Sequence, residues 1–159
     1  MNMKFNHDDW KPLSGGMLLY RGFSQKAPED TVLVRSPTDR KPAHMPLSVQ
    51  HQMDDWFEKE LGTRFRQRSL FTTGSLDVAR RYAGDHGEVR VIQAIGPFQF
   101  CWSKKSHDLY DEFEAMSQQE TIPAMLERLD FKCSDLEGAL QSGNEIMLVG
   151  DAFKASRHL

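Results

Sequence analysis

The chain is poor in cysteine, with only Cys101 and Cys133 among its 159 residues. Two cysteines make no disulfide framework, and neither stands in a Cys-x-x-Cys pair or a Cys/His spacing that would hold a metal. A reducing compartment is the expectation. No apolar run approaches the roughly 20 residues that a membrane-spanning helix needs. Residues 1–10 are polar and acidic and lack the apolar core of a secretory leader. The chain therefore reads as cytoplasmic and without a membrane partner, with leaderless delivery into a target cell left open. Positive charge is also not in excess: 20 Lys and Arg face 23 Asp and Glu, a formal net charge of −3. That argues against a general phosphate-backbone binder, although Arg64, Arg66 and Arg68, or Arg35, Arg40 and Lys41, could still form a local basic patch. There is no Gly-rich P-loop and no Gly-x-Gly-x-x-Gly, so neither an NTPase nor a Rossmann dehydrogenase is supported. Internal repeats and low-complexity tracts are absent as well.

What is present fits a folded domain. Hydrophobic residues make up 39% and charged residues 27%, and the length is enough for one domain, 1–159, with a real core. Residues 1–16 read as an approach segment that ends in the Ser14-Gly15-Gly16 turn. Residues 17–21 and 31–35 read as strands, and the prolines at 37, 42 and 46 make 36–46 a loop. Val49, Met53, Trp56, Phe57 and Leu61 share one face of a helix over 47–61, with Gly62 as its stop. A short strand over 69–73 leads into a helix over 76–83, capped by Ser75 and ended by Gly84. Strands follow at 88–95 and 98–103. Residues 106–140 are acidic and helical in pattern, a helical insertion in which Ser106 is a candidate cap and 121–129 and 134–140 are two further helices. A turn at 141–144 precedes a strand at 145–149, and Phe153 and Ala155 mark a last one. The order is that of an α+β domain with a mixed or antiparallel sheet.

Three short motifs carry the chemistry. Arg21 ends an early apolar run and is followed by Gly22. Its forked guanidinium suits a pyrophosphate, and the glycine admits a ligand close to the backbone. The hydroxyls of Thr72 and Thr73 stand at a strand-to-helix junction, where they could orient a carboxylate. The helix start after Ser75 offers partial positive charge to a phosphate, and Tyr82 on that helix could reach the same cleft. Glu145 heads a late apolar strand, where a single carboxylate could steady the positive charge that builds when a glycosidic bond breaks. Other constellations are weaker. His44, His51, Asp54 and Asp55 have no compact metal spacing, so no metal is expected. Cys101 beside Trp102 reads as packing, and Glu112, Glu114, Glu120 and Glu127 as a solvated acidic face.

In this order the three motifs resemble the Arg, Ser-Thr-Ser, Glu pattern of ADP-ribosyltransferase-like domains that bind NAD. The likeness runs from Leu18 to about Val149. It implies a split sheet whose cleft takes NAD as co-substrate, with Glu145 as the catalytic residue. Arg21 and Gly22 would lie at the phosphates, and Thr72, Thr73, Ser75 and Tyr82 would line the pocket. The reaction implied is transfer of ADP-ribose to a macromolecular acceptor, a protein rather than a nucleic acid, or to water. The role implied is that of a toxin, effector or phage-conflict protein with a cognate antitoxin or immunity partner. The middle motif reads Thr72-Thr73-Gly74, with Ser75 left to supply the third hydroxyl. Gly143 stands two residues before Glu145, where arginine-modifying members carry Glu or Gln, so the acceptor stays open. A second class is a non-catalytic binding or immunity module on the same scaffold, whose acidic 106–140 stretch would face a basic partner.

Overall fold

A computed structural model describes residues 4–158. In chain order the elements are α1 (Trp10–Ser14), β1 (Leu19–Phe23), β2 (Thr31–Val34), α2 (Leu47–Leu61), α3 (Phe65–Arg68), β3 (Leu70–Thr73) and α4 (Leu76–Ala83). They continue with β4 (Glu88–Ala94), β5 (Phe98–Trp102), α5 (Leu109–Ala115), α6 (Ile122–Leu129), α7 (Leu136–Ser142), β6 (Glu145–Gly150) and β7 (Phe153–Arg157). The seven strands form one sheet in the order β2-β7-β4-β1-β3-β6-β5, and each adjacent pair is antiparallel. The fold is thus α+β with an antiparallel sheet, and among the described residues no parallel pair mixes into it.

The sheet has a thin seam. β1 pairs with β4 along its whole length, and β3 with β6 along its own. β1 and β3 meet at one residue pair, Tyr20 opposite Thr73. Beyond that pair the strands part, and Arg21 fills the gap: its Nη1 donates to the Phe71 carbonyl at 2.8 Å, where a ladder hydrogen bond would otherwise run.

Each face of the sheet buries its own core. Trp10, Leu19, Ile92, Phe100, Leu148 and Phe153 belong to one cluster, and Met53, Phe57, Phe65, Leu126 and Met147 to the other. β6 feeds both by alternation: Ile146 and Leu148 face the first, Met147 and Val149 the second. This is why 146–149 is an unbroken apolar run. Residues 106–140 supply Leu109, Met125, Leu126 and Leu129 to the second cluster, so the stretch is a wall of the core.

Two glycines let helices close on the sheet. A Cβ on Gly22 would lie 2.2 Å from the Ala79 carbonyl oxygen of α4, and one on Gly74 would lie 2.1 Å from that of Leu140 in α7. Arg90, 1% exposed, ties down the turn between β1 and β2. Its N–H groups donate to the Ala27, Glu29, Asp30 and Ala155 carbonyls and to the Glu88 carboxylate.

Several expected boundaries move. Part of the approach segment, residues 1–3, lies outside the described residues. The remainder is not a bare lead-in: Phe5 bridges to Phe98, and Trp10 in α1 is buried edge-on against the same ring at 5.1 Å. Asp108, not Ser106, caps α5, its Oδ1 accepting from Asp111 N. Asp135 caps α7, which runs on to Ser142 and shortens the expected turn at 141–144. No helix among the described residues is long and apolar enough to cross a membrane.

Candidate functional site

The three motifs end up side by side, because β1, β3 and β6 are neighbours in the sheet. Tyr20 is opposite Thr73 and Thr73 opposite Glu145, so one row across three strands joins the first motif to the last. At the usual strand spacing that row spans about 10 Å.

Glu145 is placed by its flanks. Gly143 takes the left-handed turn that ends α7, with φ 72°. Asn144 is buried and its Nδ2 donates to the Ser103 carbonyl at 2.9 Å. The Glu145 side chain is one-tenth exposed, and its Oε1 accepts from Arg66 Nη1 at 3.1 Å and from Leu109 N at 3.3 Å. Burial pushes the Glu145 carboxyl above its ordinary range, and the Arg66 charge pulls it back. The segment 107–109 lies across it, since Glu145 N also donates to the His107 carbonyl at 2.8 Å.

Arg66 comes from α3, a helix with no side-chain cap of its own. Asp54 of α2 does that work, its Oδ1 accepting from Arg66 N at 2.8 Å. The Arg66 guanidinium lies 4.4 Å from the centre of the Phe71 ring, and that of Arg40 lies 4.3 Å from it. Arg40 also donates to the Ser69 carbonyl at 3.0 Å. With Arg21 on the Phe71 carbonyl, three guanidinium groups surround one aromatic residue. Burial, followed by the charge of Arg40, lowers the Arg21 pKa to about 10. Burial and the charge of Arg66 lower that of Arg40, against the pull of Glu145. The Nε atoms of Arg21 and Arg40 are buried without a hydrogen-bond partner. The guanidinium groups outnumber the carboxylates beside them, Glu145 and Asp54, and such a cluster favours an anion.

The other expected residues have structural uses. Thr72 Oγ1 donates to the Ile146 carbonyl at 2.8 Å and Thr73 Oγ1 to that of Gly143 at 2.9 Å, while Ser75 N donates to Thr73 Oγ1. Both hydroxyls fasten β3 to the start of β6, and in this structure neither donates to the Glu145 carboxylate. Ser75 caps α4 by accepting from Val78 N at 3.2 Å. The space beside Gly22 belongs to the α4 backbone, so the close approach it permits is that of a helix. Tyr82 is 55% exposed, and its hydroxyl donates to Asp108 Oδ2 at 2.5 Å, holding the segment that covers Glu145. Burial and that hydrogen bond push the Tyr82 pKa up.

Arg40 and Arg66 were legible only as members of basic runs, Asp54 only within the weak His44, His51, Asp54 and Asp55 constellation, Asp108 only as a helix start at the wall of the cleft, and Phe71 only as part of the strand before Thr72. Asp55, one of the residues of that constellation, meets Arg64 at 2.9 Å. No group of three or more His, Cys, Asp or Glu that could hold a metal occurs among the described residues. Open concavities lie apart from Glu145. One of about 520 Å³ is lined by Lys26, Arg80, Arg157 and His158, and one of about 560 Å³ by Trp56, Lys59, Pro123 and Glu127. Comparison with family models, with curated proteins and with solved structures finds no match for this chain.

Proposed function

We propose that the chain is an ADP-ribosyltransferase-like enzyme that cleaves NAD and passes ADP-ribose to a protein acceptor or to water. The observation that carries this reading is the cluster at the seam. The buried carboxylate of Glu145 pairs with Arg66, which shares the Phe71 ring with Arg40, while Arg21 holds the Phe71 carbonyl, all on or beside the strands that carry the three motifs. Pyrophosphate carries two negative charges, and Arg21, Arg40 and Arg66 would receive them. The bond to break joins the ribose C1′ to the nicotinamide nitrogen. Nicotinamide leaves with the electron pair, and C1′ becomes oxocarbenium-like. The acceptor's nucleophile then bonds to C1′ and loses its proton. Glu145 would hold a ribose hydroxyl and face the developing positive charge, for which it must be ionised. Burial raises its carboxyl toward the acid form, and the Arg66 charge acts against that, favouring the carboxylate.

The test is nicotinamide release from NAD by the purified protein beside Glu145→Gln, with cell lysate as acceptor. Loss of release in the variant is expected. Equal release by both proteins, or none by the wild type with any lysate, ends the enzymatic reading.

A second reading, a non-catalytic binding or immunity module, draws support from the occupation of Glu145 by Arg66 and Leu109 and from its cover by 107–109. Thermal denaturation with and without NAD separates the two, because a ligand that binds only the native state raises the midpoint.

A further inference from the structure

Among the described residues β2 is the last strand of the sheet, with β7 on one side and no strand on the other. Arg157 N donates to the Asp30 carbonyl at 3.0 Å. With the register Val32↔Ala155 and Val34↔Phe153, this fixes which residues turn their backbone toward β7. In an antiparallel pair these alternate, so Asp30, Val32 and Val34 face β7, while Thr31 and Leu33 present N–H and C=O groups to the outer edge. Native edges are blunted by shortness, by Lys or Pro, or by a bulge; β2 is short, four residues, but carries no Lys or Pro. It reads Thr-Val-Leu-Val, and Leu33 is 74% exposed.

The edge is self-complementary. A second copy placed antiparallel by a two-fold axis through Leu33 sets Leu33 against Leu33 of the other copy. The outward backbone groups of each then meet those of the other. Val32 and Val34, each partly exposed, would pair across the axis on the core face, and Thr31 would stand opposite Arg35. Glu29 lies at one end of the strand and Arg35 at the other, both exposed, and neither side chain makes an ion pair among the described residues. The antiparallel arrangement brings Arg35 diagonally across from Glu29 of the second copy, and a long side chain spans that distance. It does so twice. A parallel arrangement would set like charges together at both ends.

We infer that the free edge of β2 is the interface of a symmetric homodimer, which continues the sheet across two chains through Leu33 and the Glu29–Arg35 pairs. This is independent of the catalytic reading. The experiment is sedimentation velocity on the full chain, from low micromolar to several hundred micromolar. The wild type is expected to move from monomer to dimer over that range. Leu33→Lys, which sets two like charges face to face at the axis, is expected to stay monomeric with an unchanged melting temperature in dilute solution, because Leu33 is exposed in the monomer. Arg35→Glu is expected to weaken the dimer at least tenfold, and adding Glu29→Arg to restore it. A wild type that stays monomeric throughout, or a dimer indifferent to Leu33→Lys, overturns the proposal. So does a double charge swap that fails to recover association while the single variants lose it.

Discussion

Asp54→Asn is expected to remove a pH dependence of stability while keeping the fold. Asp54 is fully buried; its Oδ1 caps α3 through Arg66 N at 2.8 Å, and its Oδ2 has no partner. Burial raises its pKa from the ordinary 3.8 to about 6, against the hydrogen bonds from the Arg66 and Gln67 backbone and the charges of Arg64 and Arg66. Between those two values the native protein holds a proton that the unfolded chain releases. Stability contributed by this proton is therefore full in acid and falls as pH rises through the window. A gap of about two pH units at about 1.4 kcal/mol each amounts to about 3 kcal/mol. Asn keeps the oxygen that caps α3 and cannot titrate, so its own cost is independent of pH. Urea denaturation of both proteins at intervals from pH 4 to 8 isolates the effect, because every other titrating group cancels in the difference. The wild type should gain up to about 3 kcal/mol over the variant on going from pH 7 to pH 4. Parallel curves, or a wild type that loses ground as the pH falls, would refute the buried, half-partnered carboxylate as the cause.

Two further predictions concern packing and charge. Gly22→Ala would set a methyl 2.2 Å from the Ala79 carbonyl oxygen and 2.7 Å from Ala83 N, so α4 must move. Overpacking of this kind costs about 2–3 kcal/mol, or about 6–10 °C in Tm by calorimetry, and a shift under about 2 °C would show that α4 yields freely. Arg66→Met and Glu145→Gln should each destabilise the protein, and together by less than their sum. A coupling of about 1–3 kcal/mol in a double-mutant cycle is expected for two charges each one-tenth exposed, and additivity within about 0.5 kcal/mol would deny the pair.

How far the sequence speaks depends on whether the cause is local. α2 and α4 were legible because a periodic apolar face, a positive-φ glycine at the C-terminus of each and, for α4, the Ser75 cap all lie within or beside the segment itself. α1 and α3 were not. They have five and four residues, Pro12 interrupts the first, and the second borrows its cap from Asp54, 12 positions away. The site divides in the same way. Arg21 and Glu145 could be picked out by their strand-end contexts and their order. The partnership of Arg66 with Glu145 spans 79 positions and follows from strand register, which no local pattern encodes. The fate of the Thr72 and Thr73 hydroxyls is of the same kind: each goes to a carbonyl of the β6 end that only the paired sheet brings near.

Arg90 gathers four backbone carbonyls and one carboxylate around a single delocalised charge. Calcium-binding loops fold around their ion through the same set of oxygens, and here the cation is built into the chain. The 27–30 turn is thus held largely through its backbone, with Arg157 adding bonds to the Ala27 and Pro28 carbonyls and a pair with Asp30. A lysine at position 90 would bring the charge without the planar fork, and with at most three donors it could not saturate the same oxygens. The consequence is a surface loop organised around a fixed cation without a metal site's dependence on ion supply.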